Sequence, residues 1–348
     1  MSGARSGRAV PTHLPSPSEG QYQPRSSSRR RLLGAGDQRR DAPAALGAVR
    51  EEEVARAAED AGATEILIPT GTVNDSFAPD APFSESWTTA AALAPLTRTI
   101  RLLVAVNPAA LRPELAAHQA ETLWAMAPGR VAINLVAGGG PDAGYGAPPL
   151  DHPGRYSRLG RLADALRARF PGPLYLGGAS EDAIELAVRA ADTYLMWGEP
   201  PEAIAARAAA MRERAGRRIR VGLRVHLIAR ATDLEARAAA AELLSRAEVA
   251  RARAAEYAAS DSVGQGRMNA IPADGDGWVA PGLWAGIRAV RGGAGTALVG
   301  SYDRVARLLA DYRDAGVDLV IASGYPHREE VGRVGAEVWP RIPAAVPA

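Results

Sequence analysis

Apolar residues along this chain fall into short continuous runs, separated by longer stretches in which they recur every three or four positions. The first pattern reads as buried strands and the second as amphipathic helices. A strand at Thr64–Thr70 follows a helix at Arg50–Ala61, and one at Ile100–Val106 follows Ser86–Leu96. Val131–Val136 follows Glu114–Met126, Pro173–Gly177 follows Ser157–Arg169, and Thr193–Trp197 follows Ser180–Ala191. Arg220–Ala229 follows Pro201–Gly216, and Asp318–Ser323 follows Tyr302–Ala315. With a weak first strand near residues 8–13, around Ala9-Val10, the alternation makes eight β/α units. That order favours a parallel sheet, and eight units favour a closed (β/α)8 TIM barrel over a doubly wound open sheet. No G-x-G-x-x-G opens a helix after the first strand. Asn74–Ser84 reads as an insertion after the second strand. Thr232–Arg267 reads as a long helical region and leads into a Gly/Asp/Pro loop at Ala270–Gly282. Lying between the seventh and eighth strands, this connection is expected to form a lid.

Composition narrows the chemistry. The chain has no cysteine, which excludes disulfides, thiolate metal sites and a thiol nucleophile. It has no lysine, which excludes Schiff-base chemistry and a Walker-type phosphate loop. The histidines show no metal-motif spacing such as H-E-x-x-H. Residues 1–50 carry nine arginines against Glu19, Asp37 and Asp41, mostly in Pro24–Arg31 and Gln38–Arg40. No aromatics interleave to stack on bases, so a solvated flexible segment over 1–45 is expected rather than a nucleic-acid tail. The barrel domain is assigned to 46–348, with the 8–13 strand included. No apolar run spans a bilayer and no signal-peptide core is present, so no membrane partner and a cytoplasmic location are expected.

Several strands end in Gly, Pro or polar punctuation, and in a β/α barrel these ends gather on the face where active sites are built. Arg224 and His226 lie two apart on one strand, so they point to the same side. Buried ionisable groups are costly and cluster at sites, although a salt-bridged structural pair would fit the same spacing. Tyr325 and His327 stand just past another strand end. Arg291 opens the glycine-rich Arg291–Gly295, a loop that can close a cation over an anionic substrate. Gly177–Ser180 precedes a helix, where backbone N–H groups attract phosphate; it also reads as an ordinary capping turn. Tyr175, Tyr194, Trp197, Trp87 and Trp124 read as core. His118 reads as a surface or interface residue, and His152 is left open.

In combination these pieces resemble the FMNH2-dependent alkanesulfonate monooxygenases, the desulfonating branch of the bacterial luciferase-like family. The resemblance is carried by Pro11–His13, Ile66–Gly71, Pro128–Arg130 with Asn134–Val136, Leu150–His152 with Arg155-Tyr156, and Pro173–Gly178. It continues through Met196–Glu202, Gly222–His226, Asp261–Gln265 with Arg267-Met268, Leu283–Gly300 and Ser323–His327. It implies a barrel with a lid, a reductase partner that uses NAD(P)H to supply FMNH2, and a homo-oligomer. O2 would add to the reduced flavin, and the C–S bond of a small organosulfonate would break to give sulfite and an aldehyde. Arg224 would bind the sulfonate or the flavin peroxide, and His226 would give or take a proton. Tyr325, His327, Arg291 and His13 would complete the reacting centre, with His13 at the pocket floor. Thr70, Asn134, Gly178, Ser180 and Trp197 would hold the flavin.

Three departures accompany the resemblance. The first strand is weaker than the family's. Phe83 or Ser84 stands near the family's cysteine, and the segment from Tyr156 to Pro173 is shorter. Other luciferase-like oxygenases, for example on a sulfone, deazaflavin-dependent oxidoreductases and a non-catalytic flavin-binding paralogue remain alternatives.

Overall fold

Each apolar run from Thr64 onward folds as a strand in the computed structural model. The model describes residues 47–71, 84–109, 111–138, 148, 150–245, 261–289 and 294–343, all within the unit Pro43–Ala348. The expected strand near 8–13, the segment 1–45, most of the 74–84 insertion, His13 and Arg291 lie outside the described residues. The wall strands are β1 (Glu65–Ile68), β2 (Arg101–Val106), β3 (Val131–Leu135), β4 (Leu174–Gly177), β5 (Thr193–Trp197) and β6 (Arg220–Arg230). They pair in chain order, all parallel. The helices α1 (Gly47–Asp60), α2 (Ser86–Leu93), α3 (Pro113–Met126), α4 (His152–Arg169), α5 (Glu181–Ala190) and α6 (Pro201–Ala215) alternate with them.

Side-chain alternation sorts the two faces of the wall. Ile68, Leu102, Val104, Val131, Ile133, Leu174, Leu176, Val221 and Leu223 point outward and share one core with the helices. The opposite parity points inward, where Leu103, Ala132, Tyr175 and Leu195 form a second cluster. Leu67 of the first wall strand packs on that cluster, as do Leu319 and Ile321 of the last, β10 (Leu319–Ser323). Both ends of the wall therefore rest on one inner core, the geometry of a curled barrel wall. Gly222 faces the same interior. A Cβ there would stand 2.5 Å from Leu195 Cδ2 and 3.2 Å from Leu319 Cδ1, so only glycine lets those two leucines close the interior.

The N-terminal end of the interior is polar. Tyr175 Oη donates to both oxygens of Glu65 at 2.8 and 2.7 Å, and Arg101 pairs with the same carboxylate at 2.5 Å. Arg220 donates to Tyr175 Oη at 2.6 Å. Burial, reinforced by the Glu65 charge, pushes the Tyr175 phenol up to about 12. Tyr175 is core, as expected; the ion network beneath it joins four separate strands.

The connection after β6 differs from the single helical region expected over Thr232–Arg267. It forms α7 (Asp233–Ser245) and α8 (Val263–Ala270), with 246–260 outside the described residues. The loop expected at Ala270–Gly282 contains β7 (Trp278–Ala280), which pairs antiparallel with β8 (Leu283–Trp284). A 3₁₀ turn (Gly286–Ala289), β9 (Ala297–Ser301) and α9 (Tyr302–Asp314) follow, before β10 and α10 (His327–Arg333). The strand β6 is eleven residues long. Its first part pairs with β5 and β10, and its last part, His226–Arg230, pairs parallel with β9. Asp233 reaches across to accept from Ser301 N at 2.7 Å and from Arg304 Nε at 2.9 Å. A third apolar cluster forms here from residues that include Ile228, Ala236, Ala240, Trp284, Ile287 and Val299. Among the described residues, no helix is long and apolar enough to cross a membrane.

One carboxylate ties the outer layer to the wall. Glu59 on α1 accepts from the backbone N–H of Arg98 at 2.9 Å, Thr99 at 2.5 Å and Ile100 at 3.0 Å, just before β2. Burial raises its pKa, but these hydrogen bonds outweigh it and hold the carboxyl at about 2, against an ordinary 4.5. A depressed folded-state value means stability that is present above the unfolded value and lost as pH falls towards the folded one. The melting-temperature gap between wild type and Glu59→Gln is therefore expected to narrow as pH is lowered from about 5.5 to about 3.5. A gap constant over that range would show that the carboxylate is not held low.

Candidate active site

The strand β6 carries Arg224 and His226 on its inward parity, and β10 lies alongside with Arg224 opposite Ile321 and His226 opposite Ser323. This register places Ser323 between the two ionisable groups. Arg224 donates to Ser323 Oγ at 2.7 Å and, more loosely, to the carbonyls of Ile321 and Val225 at 3.4 Å. Ser323 Oγ lies 2.9 Å from His226 Nδ1. Arginine can only donate, so Ser323 accepts from it and has its own hydroxyl proton free for Nδ1. In that arrangement the neutral imidazole carries its proton on Nε2. His226 is buried, with 1% exposure.

Tyr325 stacks on His226 with ring centroids 5.8 Å apart, and His327 meets Tyr325 edge-on at 4.9 Å. Four sequence-predicted residues thus form one connected row with Ser323. They are not equal in depth: Tyr325 is half-buried, whereas His327 is exposed at the start of α10. Behind the row, Glu330 is buried and pairs with Arg230 at 3.0 Å and with Arg333. Ser323 lies inside a motif singled out in the sequence, but its bridging role depends on the β6/β10 register.

Two strands away, the end of β4 builds a different feature. Gly178 has φ +142°, and a Cβ there would lie 2.6 Å from Ala183 Cβ and 3.0 Å from Tyr156 Oη. Glycine is therefore what lets Ala183 and Tyr156 close on this turn. Ser180 caps α5 through Ala183 N at 3.2 Å, and Tyr194 Oη donates to the Gly178 carbonyl. Tyr156 and Tyr194 flank the turn, and burial raises both phenols above their usual range. Arg155 is held by Asp261 at 2.8 Å, and Arg207 by Glu199 at 2.7 Å. His152, left open by the sequence, lies 3.3 Å from Asp182 and packs on Tyr156, at this same turn.

Between the two features runs β5, whose Trp197 is in register with Arg224. Gly264 of α8 lets that helix lie against the indole: a Cβ would stand 3.2 Å from Cζ3. Asn134 occupies the inward parity of β3, opposite Tyr175, and its Oδ1 is buried without a hydrogen-bond partner. Thr70 is half-buried just beyond β1. The expected surface position of His118 holds, with its side chain 63% exposed. Among the described residues no cluster of His, Asp or Glu has the form of a metal site.

A family model described as luciferase-like monooxygenase matches residues 33–319. Among solved structures, the fold is similar to riboflavin lyase (RcaE), determined with modified FMN and riboflavin. The identity is 18% and the TM-score 0.68, over 84% of this chain and 83% of that one. EDTA monooxygenase (EmoA) from Chelativorans sp. BNC1 shares 17% identity at TM-score 0.64, over 84% and 85% of the two chains. An F420-dependent secondary alcohol dehydrogenase, in complex with an F420-acetone adduct, shares 14% identity at TM-score 0.62, over 86% and 96%. At such identities the likeness establishes the fold.

Proposed function

The chain belongs to the luciferase-like monooxygenase family, and on that premise we propose that it is an FMNH2-dependent monooxygenase that desulfonates alkanesulfonates to an aldehyde and sulfite. The observation that carries this reading is the Arg224–Ser323–His226 row, a fixed cation joined through one hydroxyl to a buried imidazole and stacked on Tyr325. A planar guanidinium suits the oxygens of a sulfonate.

The residues also fit a flavin. Ser180 opens α5 directly after the Gly178 turn, with Tyr156 beside it, and Asn134 Oδ1 is a buried acceptor without a hydrogen-bond partner. Gly178 and Ser180 would hold the phosphate, with Asn134, Trp197 and Thr70 towards the ring. When bound, reduced flavin supplies the two electrons that activate O2. One oxygen atom ends in the aldehyde and the other in water, while the C–S bond breaks and sulfite leaves. Arg224 holds the sulfonate and steadies negative charge as sulfite departs. His226 exchanges a proton with the reacting atoms and resets through Ser323. Tyr325 keeps the imidazole oriented, and His327 stands at the solvent edge of the row. Arg291 is assigned the closing cation and His13 the pocket floor, both expectations for residues outside the described set. An NAD(P)H-dependent FMN reductase and assembly with further copies of this chain belong to the same proposal.

Sulfite release from methane- to decanesulfonate, with FMN, NADH and a generic flavin reductase, tests the reading. Sulfite formed only with the complete system is the expected result. Oxidation of a sulfone, or hydride transfer with reduced F420, in place of sulfite release would replace it. FMNH2 binding without turnover of any of these would favour a non-catalytic flavin binder.

A further inference from the structure

Beside the reactive row lies a cavity whose lining includes His226 and Tyr325. The wall facing them is made of Ile228, Ala239, Leu243 and Ile287. Ile228 follows His226 by two positions on β6 and shares its face. Ala239 and Leu243 are four apart and form one stripe of α7. Ile228 and Ile287 belong to the satellite apolar cluster, with Ala239, Leu243 and Tyr325 packed against it. Three elements that meet only in the fold thus present continuous hydrocarbon to the imidazole and phenol. At the far rim stand Arg230, Glu330 and Glu242, and Arg333 pairs with Glu330 from outside the lining, so the charges there balance. That rim holds no unbalanced cation for an anion, whereas Arg224, two residues before the cavity's His226 on the same face of β6, offers one.

We propose that this cavity receives the alkyl chain of the substrate, with its anionic head towards Arg224, and that Ala239 sets the chain length it accepts. The inference rests on the reading above for the head group, but the chain subsite can be tested without it. Ala239 is the smallest side chain on the wall and only part-buried. Leucine there adds three carbons inward and preserves helix propensity. The probes are straight-chain 1-alkanols from ethanol to decanol, which carry no sulfonate. Binding is read by tryptophan fluorescence, because Trp278 and Trp284 pack in the same cluster.

In the wild type, affinity is expected to rise about fourfold per methylene and then level off where the cavity ends. In Ala239→Leu the levelling should come about three carbons earlier, with ethanol binding unchanged. Leu243→Ala should move it to longer chains, and thermal melts of both variants check folding. The inference is overturned by affinity independent of chain length in the wild type, or by the same levelling length in wild type and both variants. Failure of the sulfonate reading looks different: the alkanol series behaves as expected, yet no sulfite appears from any sulfonate.

Discussion

Arg224→Ala is expected to lower kcat/KM for sulfite release by roughly a hundred- to a thousandfold, the usual cost of deleting one pre-set charge-stabilising group. Two links carry this expectation. Register pairs Arg224 with β10, so the guanidinium is held by Ser323 and by two main-chain carbonyls before substrate arrives. A cation fixed in that way needs little reorganisation when charge develops on the departing sulfite. Arg224→Lys keeps the charge but loses the fork, and should fall between wild type and alanine. Ser323→Ala separates the two roles of the row. It leaves both ionisable groups in place but removes the hydroxyl between them, so the pH profile of kcat should shift while KM changes less. Wild-type activity in Arg224→Ala would remove the row from the reaction. A lysine variant as inactive as alanine would show that shape, rather than charge, is what Arg224 contributes.

Glu65→Leu is expected to do the opposite: a large loss of stability with little change in kcat. Among the described residues, Glu65 is the carboxylate bound by Arg101 and Tyr175 at the N-terminal end of the barrel, with Arg220 on the same phenol. Its removal leaves two cations facing one another without a counter-charge. Breaking a buried pair in this way costs about 3 kcal/mol, the lower end of the usual range because Arg101 keeps some contact with water. For a chain of 348 residues that corresponds to a fall in Tm of roughly 4–5 °C. The N-terminal face of a barrel governs stability and the C-terminal face governs chemistry, so the two variants should separate cleanly. Thermal melting beside steady-state sulfite release gives the answer. An unchanged Tm would mean that the floor network is loosely solvated, and a lost kcat would mean that it positions the mouth.

Much of this arrangement could be read from the chain. The alternation of apolar runs and helical stretches locates β1 to β6 and β10, because each is an apolar run that follows a helical stretch and ends in turn residues. The two-residue spacing of Arg224 and His226 correctly places them on one face. What escapes is whatever depends on pairing between distant segments. Ser323 acquires its place from a register that joins positions 97 apart. The floor network needs Glu65 and Tyr175 to meet across 110 residues, and each alone looks like an isolated polar residue at a strand start. The strand β9 lies in a glycine-rich tract, Gly292–Gly300, whose composition signals a loop; pairing with the overhanging end of β6 overrides it. His327 shows a subtler gap. Its position after a strand end suggests a reacting group, yet it caps the row from outside, in contact with Tyr325 and open to water.

The overhang of β6 has one more consequence. Its last residues hold β9 by main-chain pairing, and Asp233 fastens the start of α7 to Ser301 and Arg304. The described parts of the connection, α7, α8 and the β7–β8 pair, therefore lie between two points that are fastened together at the barrel rim. With its ends already joined, the excursion pays only a slowly growing entropy for added length. That is the architecture of an exchangeable cassette: the connection can be lengthened, shortened or replaced in a descendant while the Arg224–Ser323–His226 row on β6 and β10 stays where it is.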